Sequence, residues 1–423
     1  MKKLIRFLHT FFLFLNLTSF DSRLRTGRIL GRSWSPLRFS ARFFSFCFGK
    51  QNYNNILLHA KNIQRDQELA IADSGTFNFS RYIEKKLLQK IVNILNLPFA
   101  EFSGYLTTGA TEANIYSLWV AREWANKLVE ARSEKKIYWL IPKNVHYSII
   151  KALRLLAIEG QQNNEVILID LDQNGRANLQ QIIQYVELAH THENPVVLVM
   201  TAMSTEYGSI DPLKEVDQYI ASAAIKNFHL HVDAAFSGFF LPFAKGYENI
   251  FSIQSLSSIS LDFHKTIGGP VGVGAVVMRS GFEKFAKVEA SYLKDGADFT
   301  LVGSRKGIDA LAIYSIFDIY DIDDFKKEVA AMQTKTQFLA NSLARLSFIR
   351  LYYEPTFNYI VFSLDNLSPD KELIIRKIFA KFSVSSSEVE SDGKKISLFK
   401  IVIRQDHSVR LLRKFVLELA ALR

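Results

Sequence analysis

The chain has 423 residues, 48% hydrophobic and 22% charged, a composition typical of a globular protein rather than a disordered or fibrous one. Its one cysteine, Cys47, excludes an internal disulfide and a cysteine-cluster metal site, which fits a reducing compartment. The net charge of +10 is concentrated at one end, because residues 1–65 carry twelve basic residues against the single acid Asp21, and residues 66–423 have a net charge of −1. A nearly neutral body argues against a nucleic-acid partner.

Residues 1–65 form a basic N-terminal arm that opens MKKLIRFLHTFFLFLNL. Its apolar run is too short to span a bilayer, and no small-residue cleavage site follows it. Three interpretations stay open: a targeting segment, a start codon assigned too far upstream, and attachment to a membrane surface. We predict a cytoplasmic protein in which only this arm leaves membrane contact or organelle targeting open.

From about residue 66 onward, apolar runs typical of strands alternate with segments of helical periodicity. The predicted strands are Ile137–Pro142, Val166–Leu171, Val196–Met203, Phe228–Ala234, Ser258–Leu261 and Val271–Met278. Helical segments such as Ser148–Ile158 and Leu213–Ala224 separate them. Continuously apolar strands joined by helical crossovers predict an α/β fold with a mostly parallel sheet, and ligands bind at the carboxyl ends of such strands.

After about residue 320 the pattern changes to a small α+β unit. It has predicted strands at Asn358–Leu364 and Leu398–Arg404, a helix near Lys371–Phe382 and a terminal helix from His407. We therefore predict a large domain over residues 66–320 and a small C-terminal domain over residues 321–423.

Four features fall at predicted strand ends or helix starts. The first is GYLTTGATEANIYSLWVAREWA, Gly104–Ala125, a small-residue turn that leads into a long helix. Backbone N–H groups at a helix start, with the Thr111 hydroxyl, could hold a phosphate. The alternative is an ordinary N-cap with Thr111 and Glu112 in the first turn.

The other three features supply ionisable side chains. Asp233 ends an apolar strand in HVDAAFSGF, where a buried carboxylate usually has a cationic partner such as a protonated heterocyclic nitrogen. The alternative is an N-cap or a structural ion pair. His146 follows the strand IYWLIP, and His264 and Lys265 follow SISL in SISLDFHK. A histidine can equally be a packing or capping residue, and Lys265 can extend its amine to solvent from the strand end. The spacing of these residues repeats no metal-ligand pattern, so we predict no metal site.

Taken together, these motifs resemble those of the group II amino-acid decarboxylases, which use pyridoxal 5′-phosphate (PLP), and most closely the bacterial PLP-dependent histidine decarboxylases. The motifs that carry the resemblance are TTGATEAN (Thr107–Asn114), VHYSIIK (Val145–Lys151), STEYGSIDP (Ser204–Pro212), HVDAAFSGF (His231–Phe239), SISLDFHK (Ser258–Lys265) and TLVGSRKG (Thr300–Gly307). The resemblance covers roughly residues 85–315. It implies the fold type I of PLP-dependent transferases, with a mostly parallel seven-stranded sheet in the large domain and a small C-terminal α+β domain.

The resemblance also implies a role for each site residue. It makes Lys265 the residue that carries PLP covalently and places His264, Ala110 and Thr111 at the phosphate. Asp233 would pair with the pyridine nitrogen, Ala235 would lie against one face of the ring, and His146 would stack on the other as a catalytic residue. Thr205 would lie near the ring hydroxyl and the substrate carboxylate, and Tyr292 is the candidate proton donor.

The predicted activity is decarboxylation of an L-amino acid to its amine and CO₂, with histidine or an aromatic amino acid favoured. Phe236, Phe239, Tyr207 and Tyr292 lie in or near the site motifs, where a flat side chain would stack favourably. The alternatives are another fold-type-I PLP reaction, such as transamination or lyase chemistry, and a non-catalytic membrane-associated homologue. The resemblance further implies a homodimer, with Thr300–Gly307 approaching the partner's cofactor.

The chain departs from the histidine enzymes at two places. Asp262 and Phe263 stand before His264, where those enzymes carry small residues. Met203 and Ser204 stand where the family commonly has a glycine and a threonine. Both departures bear on the substrate.

Overall fold

The computed structural model describes residues 52–53, 58–59, 79–130, 134–291, 293, 296–365, 367–391 and 394–422. Most of the predicted N-terminal arm, including Cys47, lies outside the described residues, and so does Tyr292.

The described strands include several two-residue pairs beside the longer ones. They are β1 (Asn52–Tyr53), β2 (Leu58–His59), β3 (Phe102–Thr107), β4 (Ile137–Pro142), β5 (Asn164–Ile169), β6 (Val196–Thr201), β7 (Phe228–Asp233), β8 (Leu256–Asp262), β9 (Gly274–Arg279), β10 (Val288–Glu289), β11 (Ala297–Asp298), β12 (Arg305–Lys306), β13 (Ile349–Leu351), β14 (Tyr359–Leu364), β15 (Ser385–Ser391) and β16 (Lys394–Val402).

The described α-helices follow the strands along most of the chain. They are α1 (Phe79–Ile94), α2 (Ala110–Val129), α3 (Tyr147–Leu155), α4 (Leu179–Thr191), α5 (Leu213–Ser222), α6 (Gly307–Ile319), α7 (Ile322–Leu343), α8 (Pro369–Phe382) and α9 (Val409–Ala420).

The central sheet has the strand order β2-β3-β9-β8-β7-β6-β4-β5. Strands β5, β4, β6, β7 and β8 pair in parallel, whereas β9 runs antiparallel to both β8 and β3. Strand β3 therefore points the same way as the parallel strands. The predicted α/β fold with a mostly parallel seven-stranded sheet is confirmed, and the two-residue β2 extends this sheet at one edge.

The sheet is buried on both faces. Every residue of β4, β6, β7 and β8 is buried, which explains why these segments read as continuous apolar runs rather than alternating ones. The predicted strand Ile137–Pro142 matches β4 at both ends. The other predicted strands of the central sheet overlap their observed counterparts with ends displaced by at most three residues.

The C-terminal part contains a separate antiparallel sheet in the order β13-β14-β16-β15. The predicted strands Asn358–Leu364 and Leu398–Arg404 correspond to β14 and β16, and the predicted helices correspond to α8 and α9. Tyr359 at the start of β14 packs edge-on against Phe236, with ring centroids 5.5 Å apart. The C-terminal sheet therefore contacts the segment that follows β7.

None of the described helices is long and apolar enough to cross a membrane.

Candidate active site

The carboxyl ends of the parallel strands bring the predicted site residues to one edge of the sheet. His146 follows β4, Thr205 follows β6, Asp233 ends β7, and Lys265 follows β8. Because β3 points the same way, the start of α2 lies at this edge too. Hydrogen bonds from α2 to Asp262, Ser148 and Asp233 confirm that α2, α3, β7 and β8 meet here.

The turn before α2 is shaped by two glycines. Gly109 has a φ of 112°, which favours glycine over any residue with a side chain. A Cβ on Gly274, at the start of β9, would lie 2.7 Å from the carbonyl carbon of Gly109 and 2.9 Å from the nitrogen of Ala110. Strand β9 therefore packs directly against the start of the helix, and only glycine at position 274 permits this approach.

The alternative capping interpretation of this turn is partly correct. The Glu112 carboxylate accepts hydrogen bonds of 2.7 Å from both the backbone N–H and the hydroxyl of Thr108. Glu112 therefore stabilises the turn from the first turn of the helix. Thr111 remains half-buried at the helix start.

Asp233 is 4% exposed and held by several hydrogen bonds. Its Oδ1 accepts from the Ala235 N–H at 3.1 Å and from the Ser260 hydroxyl at 3.3 Å. Its Oδ2 accepts from the Asn114 side-chain amide at 2.9 Å. These donors fix the carboxylate at the end of β7, and no described side chain forms an ion pair with it.

His146 is the N-cap of α3, with its Nδ1 2.8 Å from the Ser148 hydroxyl and 3.3 Å from the Ser148 nitrogen. Burial lowers the pKa of His146, and the nearby Asp233 carboxylate opposes that shift while Lys265 adds to it. Asp233 and Lys265 therefore lie close enough to His146 to act on its charge. The capping role and a role at a cofactor are compatible, because capping uses only Nδ1.

Lys265 does not extend freely into solvent. Its amine lies 3.3 Å from Oδ2 of Asp262, and the Lys265 side chain is 19% exposed. Oδ1 of Asp262 accepts from the Ala110 N–H at 3.1 Å and lies 3.6 Å from Nδ1 of His264. Burial lowers the pKa of His264. The Asp262 carboxylate thus joins the helix start to both members of the His-Lys pair.

Thr205 lies apart from this cluster, and its side chain is exposed. Its carbonyl accepts a hydrogen bond of 2.6 Å from the Lys400 amine, which comes from β16 of the C-terminal sheet. Just before it, Met203 is buried with a φ of 70°, an unusual backbone conformation for a residue with a side chain. The structure therefore places Thr205 where the central and C-terminal sheets meet.

The expectation for the aromatic residues near the site needs a correction at Phe239. Phe239 is 2% exposed and stacks on Phe263 at 4.8 Å, so it belongs to the core beneath the site rather than to a substrate-facing wall. This contact also explains Phe263, which stands where a small residue was expected. Tyr207 instead lines an open cleft of about 1210 Å³ together with Asn144 and Glu206.

Sequence reasoning missed four residues that organise the site: Asn114, Ser148, Asp262 and Lys400. Asn114 lies in the motif TTGATEAN and Ser148 in VHYSIIK. Each is a polar residue among apolar neighbours near a helix start, and this pattern could have indicated a buried hydrogen bond. Asp262 was noticed only as a departure from a pattern. For Lys400 the sequence offers no signal, because its contact to Thr205 spans 195 residues.

The residues at this edge fit PLP. The group requires a primary amine, an acidic partner for its pyridine nitrogen, and donors for its phosphate. Lys265, Asp233 and the start of α2 supply these three, and contacts through Asn114 and Asp262 connect them. The donor set is therefore complete for the cofactor.

Comparison with known proteins supports a PLP-dependent decarboxylase. The chain is 29% identical to the probable L-tyrosine/L-aspartate decarboxylase of Methanothermobacter thermautotrophicus over 308 residues. The aligned region covers 71% of this chain and 78% of that protein. It is 28% identical to the tryptophan decarboxylase of Clostridium sporogenes, over 87% of this chain and 83% of that protein. The solved structure of Lactobacillus brevis glutamate decarboxylase has the same fold, with a TM-score of 0.75 and 19% identity over 94% of this chain and 88% of that chain.

The fold and the site define a PLP-dependent carboxy-lyase. The family model described as the pyridoxal-dependent decarboxylase conserved domain matches residues 79–365, and the chain belongs to this family. The predicted family, enzyme class and cofactor are confirmed. The narrower resemblance to histidine decarboxylases is not, because the relatives named above are tyrosine/aspartate and tryptophan decarboxylases.

Proposed function

We propose that this enzyme converts an L-amino acid with a flat, aromatic side chain to its amine and CO₂. The observation that carries the proposal is the convergence of Lys265, Asp233 and the start of α2 at one sheet edge, in a chain of the decarboxylase family. The names of two relatives, which include tyrosine and tryptophan, support an aromatic substrate. Histidine remains the competing substrate, because its imidazole is also flat.

The site residues keep the roles that the resemblance implies. We propose that Lys265 holds the cofactor covalently, and that the N–H of Ala110, Thr111 and His264 bind its phosphate. Asp233 would pair with the pyridine nitrogen and keep it protonated. Ala235 would lie against one face of the ring and His146 against the other.

Bound PLP supplies a sink for the electron pair that remains when the bond between Cα and the carboxylate breaks. The chain's own residues then have three tasks. They orient the carboxylate so that CO₂ can leave, keep Asp233 charged beside the pyridine nitrogen, and return a proton to Cα. Tyr292 remains our candidate for the proton donor.

Lys400 is our candidate for holding the substrate carboxylate. It is the cation that reaches the Thr205 carbonyl from the C-terminal sheet, and the resemblance places Thr205 near that carboxylate. Burial lowers the pKa of Lys400, and the nearby Glu206 opposes this shift. A half-buried amine beside a backbone carbonyl is well suited to bind one carboxylate oxygen.

The surrounding charges disfavour an acidic side chain. The cleft beside Thr205 is lined by two cations and four carboxylates: Lys143, Arg350, Asp170, Asp172, Glu206 and Glu388. Arg404 lies near the site, because the side chain of its neighbour Gln405 donates to the carbonyl of Thr266. The Arg404 guanidinium already forms an ion pair with the Asp406 carboxylate, at 2.7 Å. The Arg350 guanidinium lies 3.9 Å from Asp365. An aspartate substrate would therefore bring its side-chain carboxylate close to four others.

We also propose a homodimer in which Thr300–Gly307 approaches the partner's cofactor. Within the described part of this segment, Leu301 and Val302 are more than a third exposed, as expected for apolar residues that a second copy would cover. Sedimentation equilibrium at micromolar concentration should give twice the chain mass. A fully active monomer would contradict the dimer.

The test of the substrate is a comparison of kcat/KM for tyrosine, tryptophan, histidine, aspartate and glutamate under one condition, with amine and CO₂ both measured. We expect an aromatic substrate to exceed aspartate by at least about tenfold, which corresponds to about 1.4 kcal/mol in the transition state. A preference for aspartate would overturn the substrate. Product formation that requires a keto acid would indicate a transaminase instead.

A further inference from the structure

A chain of hydrogen bonds runs behind the proposed cofactor site, through four secondary-structure elements. We refer to it as the His146 network, made of Ser258, His231, Asn114, Ser148 and His146, with Asp233 attached to Asn114. Four members of the network are fully buried, so water does not compete for their hydrogen bonds: Ser258, His231, Asn114 and Ser148.

Asn114 is the branch point of the network. Its Nδ2 donates to Oδ2 of Asp233 at 2.9 Å and to the Ser148 hydroxyl at 2.8 Å. Its Oδ1 lies 2.9 Å from Nε2 of His231. The opposite orientation of the amide would set its oxygen against a carboxylate oxygen, so Asp233 fixes the direction of every bond that Asn114 makes.

The direction of the Asn114 bonds determines the proton positions on His231. Because Oδ1 of Asn114 can only accept, Nε2 of His231 carries a proton. Its Nδ1 lies 2.9 Å from the Ser258 hydroxyl. Burial lowers the pKa of His231 to about 4, so the ring is neutral and Nδ1 accepts from Ser258.

The same reasoning reaches His146 through Ser148. The Ser148 hydroxyl accepts from Asn114 and lies 2.8 Å from Nδ1 of His146, where it can donate its own proton. The Ser148 backbone N–H also donates to this nitrogen, at 3.3 Å. Two donors converge on Nδ1, which leaves no room for a proton there.

The charges around His146 are balanced in sign. Asp233 and Asp262 favour a charged ring, whereas Lys265 and Lys151 oppose it, and burial, the largest influence, lowers the pKa of His146. The ring of Tyr147, 4.2 Å away, brings no charge. The surroundings therefore agree with the neutral ring that the hydrogen bonds require.

We propose that Asn114 and Ser148 are positioning residues that hold His146 neutral, with its single ring proton on Nε2. Nε2 is on the side of the ring away from the network. If the proposed function holds, the Nε2–H group donates a hydrogen bond to an acceptor atom of the bound substrate, and this role of the tautomer rests on that function. A neutral ring also avoids placing an imidazolium beside Asp233, where it would compete with the pyridine nitrogen for the carboxylate. Asn114 thus couples the two groups that contact the cofactor.

The test is ¹⁵N NMR of the holoenzyme labelled in its histidine rings, with the His146 signals identified by their loss in His146→Gln. In the wild type we expect a protonated Nε2 and an unprotonated Nδ1 above pH 6. In Ser148→Ala the tautomers should mix and the titration of His146 should move to higher pH, because one donor to Nδ1 is lost. Ser148→Thr, which keeps a hydroxyl, should restore the wild-type spectrum.

Ser315→Ala is the matched control, since Ser315 is buried and its hydroxyl bonds only a carbonyl of its own helix. It should leave His146 unchanged. A protonated Nδ1 in the wild type would overturn the proposal whether or not Ser148→Ala folds, and so would a Ser148→Ala spectrum identical to that of the wild type. The NMR spectrum can be recorded without turnover. If the expected tautomer were seen but no amine product formed, the result would count against the proposed function and not against the proposed role of Asn114 and Ser148.

Discussion

The Asp262 carboxylate lies 3.3 Å from the Lys265 amine, and through its other oxygen it accepts a hydrogen bond from Ala110 at the start of α2. One acidic side chain therefore contacts both the amine that would hold the cofactor and a backbone donor for its phosphate. On the proposed placement of the cofactor, its phosphate would lie close to this carboxylate, and the two negative charges would repel each other.

Replacing Asp262 by asparagine should tighten PLP binding, because the amide keeps the size and an acceptor oxygen while removing the negative charge. We expect about a fivefold lower Kd, corresponding to about 1 kcal/mol of repulsion at a partly solvated site. Fluorescence titration of the protein depleted of cofactor would measure it. Pyridoxal, which lacks the phosphate, is the matched ligand and should show little change. An unaltered ratio of the two affinities would show that Asp262 and the phosphate do not interact.

Lys265 should be the residue that borohydride reduction labels in the holoenzyme. Peptide mapping is expected to place the pyridoxyl group there, and Lys265→Ala should lose both the label and turnover. Lys127→Ala is the control, since the Lys127 side chain is 71% exposed and pairs only with Glu130. Label on any other lysine would contradict the assignment.

Asp233→Asn should lower kcat by about 10² to 10⁴, since removing one member of a buried charged pair costs about 3 to 5 kcal/mol. Stopped-flow kinetics with saturating substrate would measure this loss. Ser260→Ala removes only one of the donors to Asp233, at 3.3 Å, and should have a much smaller effect. Equal losses in the two variants would indicate that the orientation of the carboxylate matters more than its charge.

Lys400→Gln should raise KM about tenfold with a smaller change in kcat, corresponding to the loss of about 1.4 kcal/mol of carboxylate binding. Lys395→Gln on the same strand is the control, because Lys395 is exposed. A fall in kcat without a change in KM would place Lys400 outside the substrate site.

The stability of the protein should fall as the pH drops below 6.5, partly because of His229. Burial between Trp124 and Phe282 lowers the pKa of His229 to about 3. The unfolded chain takes up a proton near pH 6.5 and the folded one only near pH 3, so the stabilisation is complete above pH 6.5 and is lost as the pH falls through this window. Between pH 7 and pH 5, the free energy of unfolding of His229→Phe should fall by about 2 kcal/mol less than that of the wild type. Thermal unfolding of this variant and of the exposed control His190→Phe would measure the difference, and parallel pH curves for His229→Phe and the wild type would contradict it.

The sequence predicted the buried parallel strands well because their apolar runs are local signals. Strand β4 matched at both ends. The polar strand β15, which reads SSSEVES, was missed, since it lies at the edge of its sheet and needs no apolar pattern. Helix α7 was also not predicted, although Asp321 and Asp324 form a capping box at its start.

The site could be predicted only as far as its motifs reach. Lys265, Asp233 and His146 were singled out as candidates because each ends an apolar strand or stands shortly after one. The bonds from Asn114 to His231 and Asp233 span 117 and 119 residues, and no local pattern shows which distant side chain a buried amide will meet. Asp262 illustrates the same limit, because its contact to Ala110 depends on the strand order.

The close approach of Gly274 to Gly109 and Ala110 has a consequence for how the enzyme matures. The residues of the α2 start, Gly109 and Ala110, are synthesised early. Strand β9, which packs against them, leaves the ribosome more than 160 residues later. Until then β3 lacks β9, its neighbour on the side of the parallel strands, and such late pairings between distant segments are slow steps in folding. Uptake of the cofactor should therefore report the completion of the sheet. A nascent chain released before Gly274 should fail to retain PLP even though Lys265 has already been made.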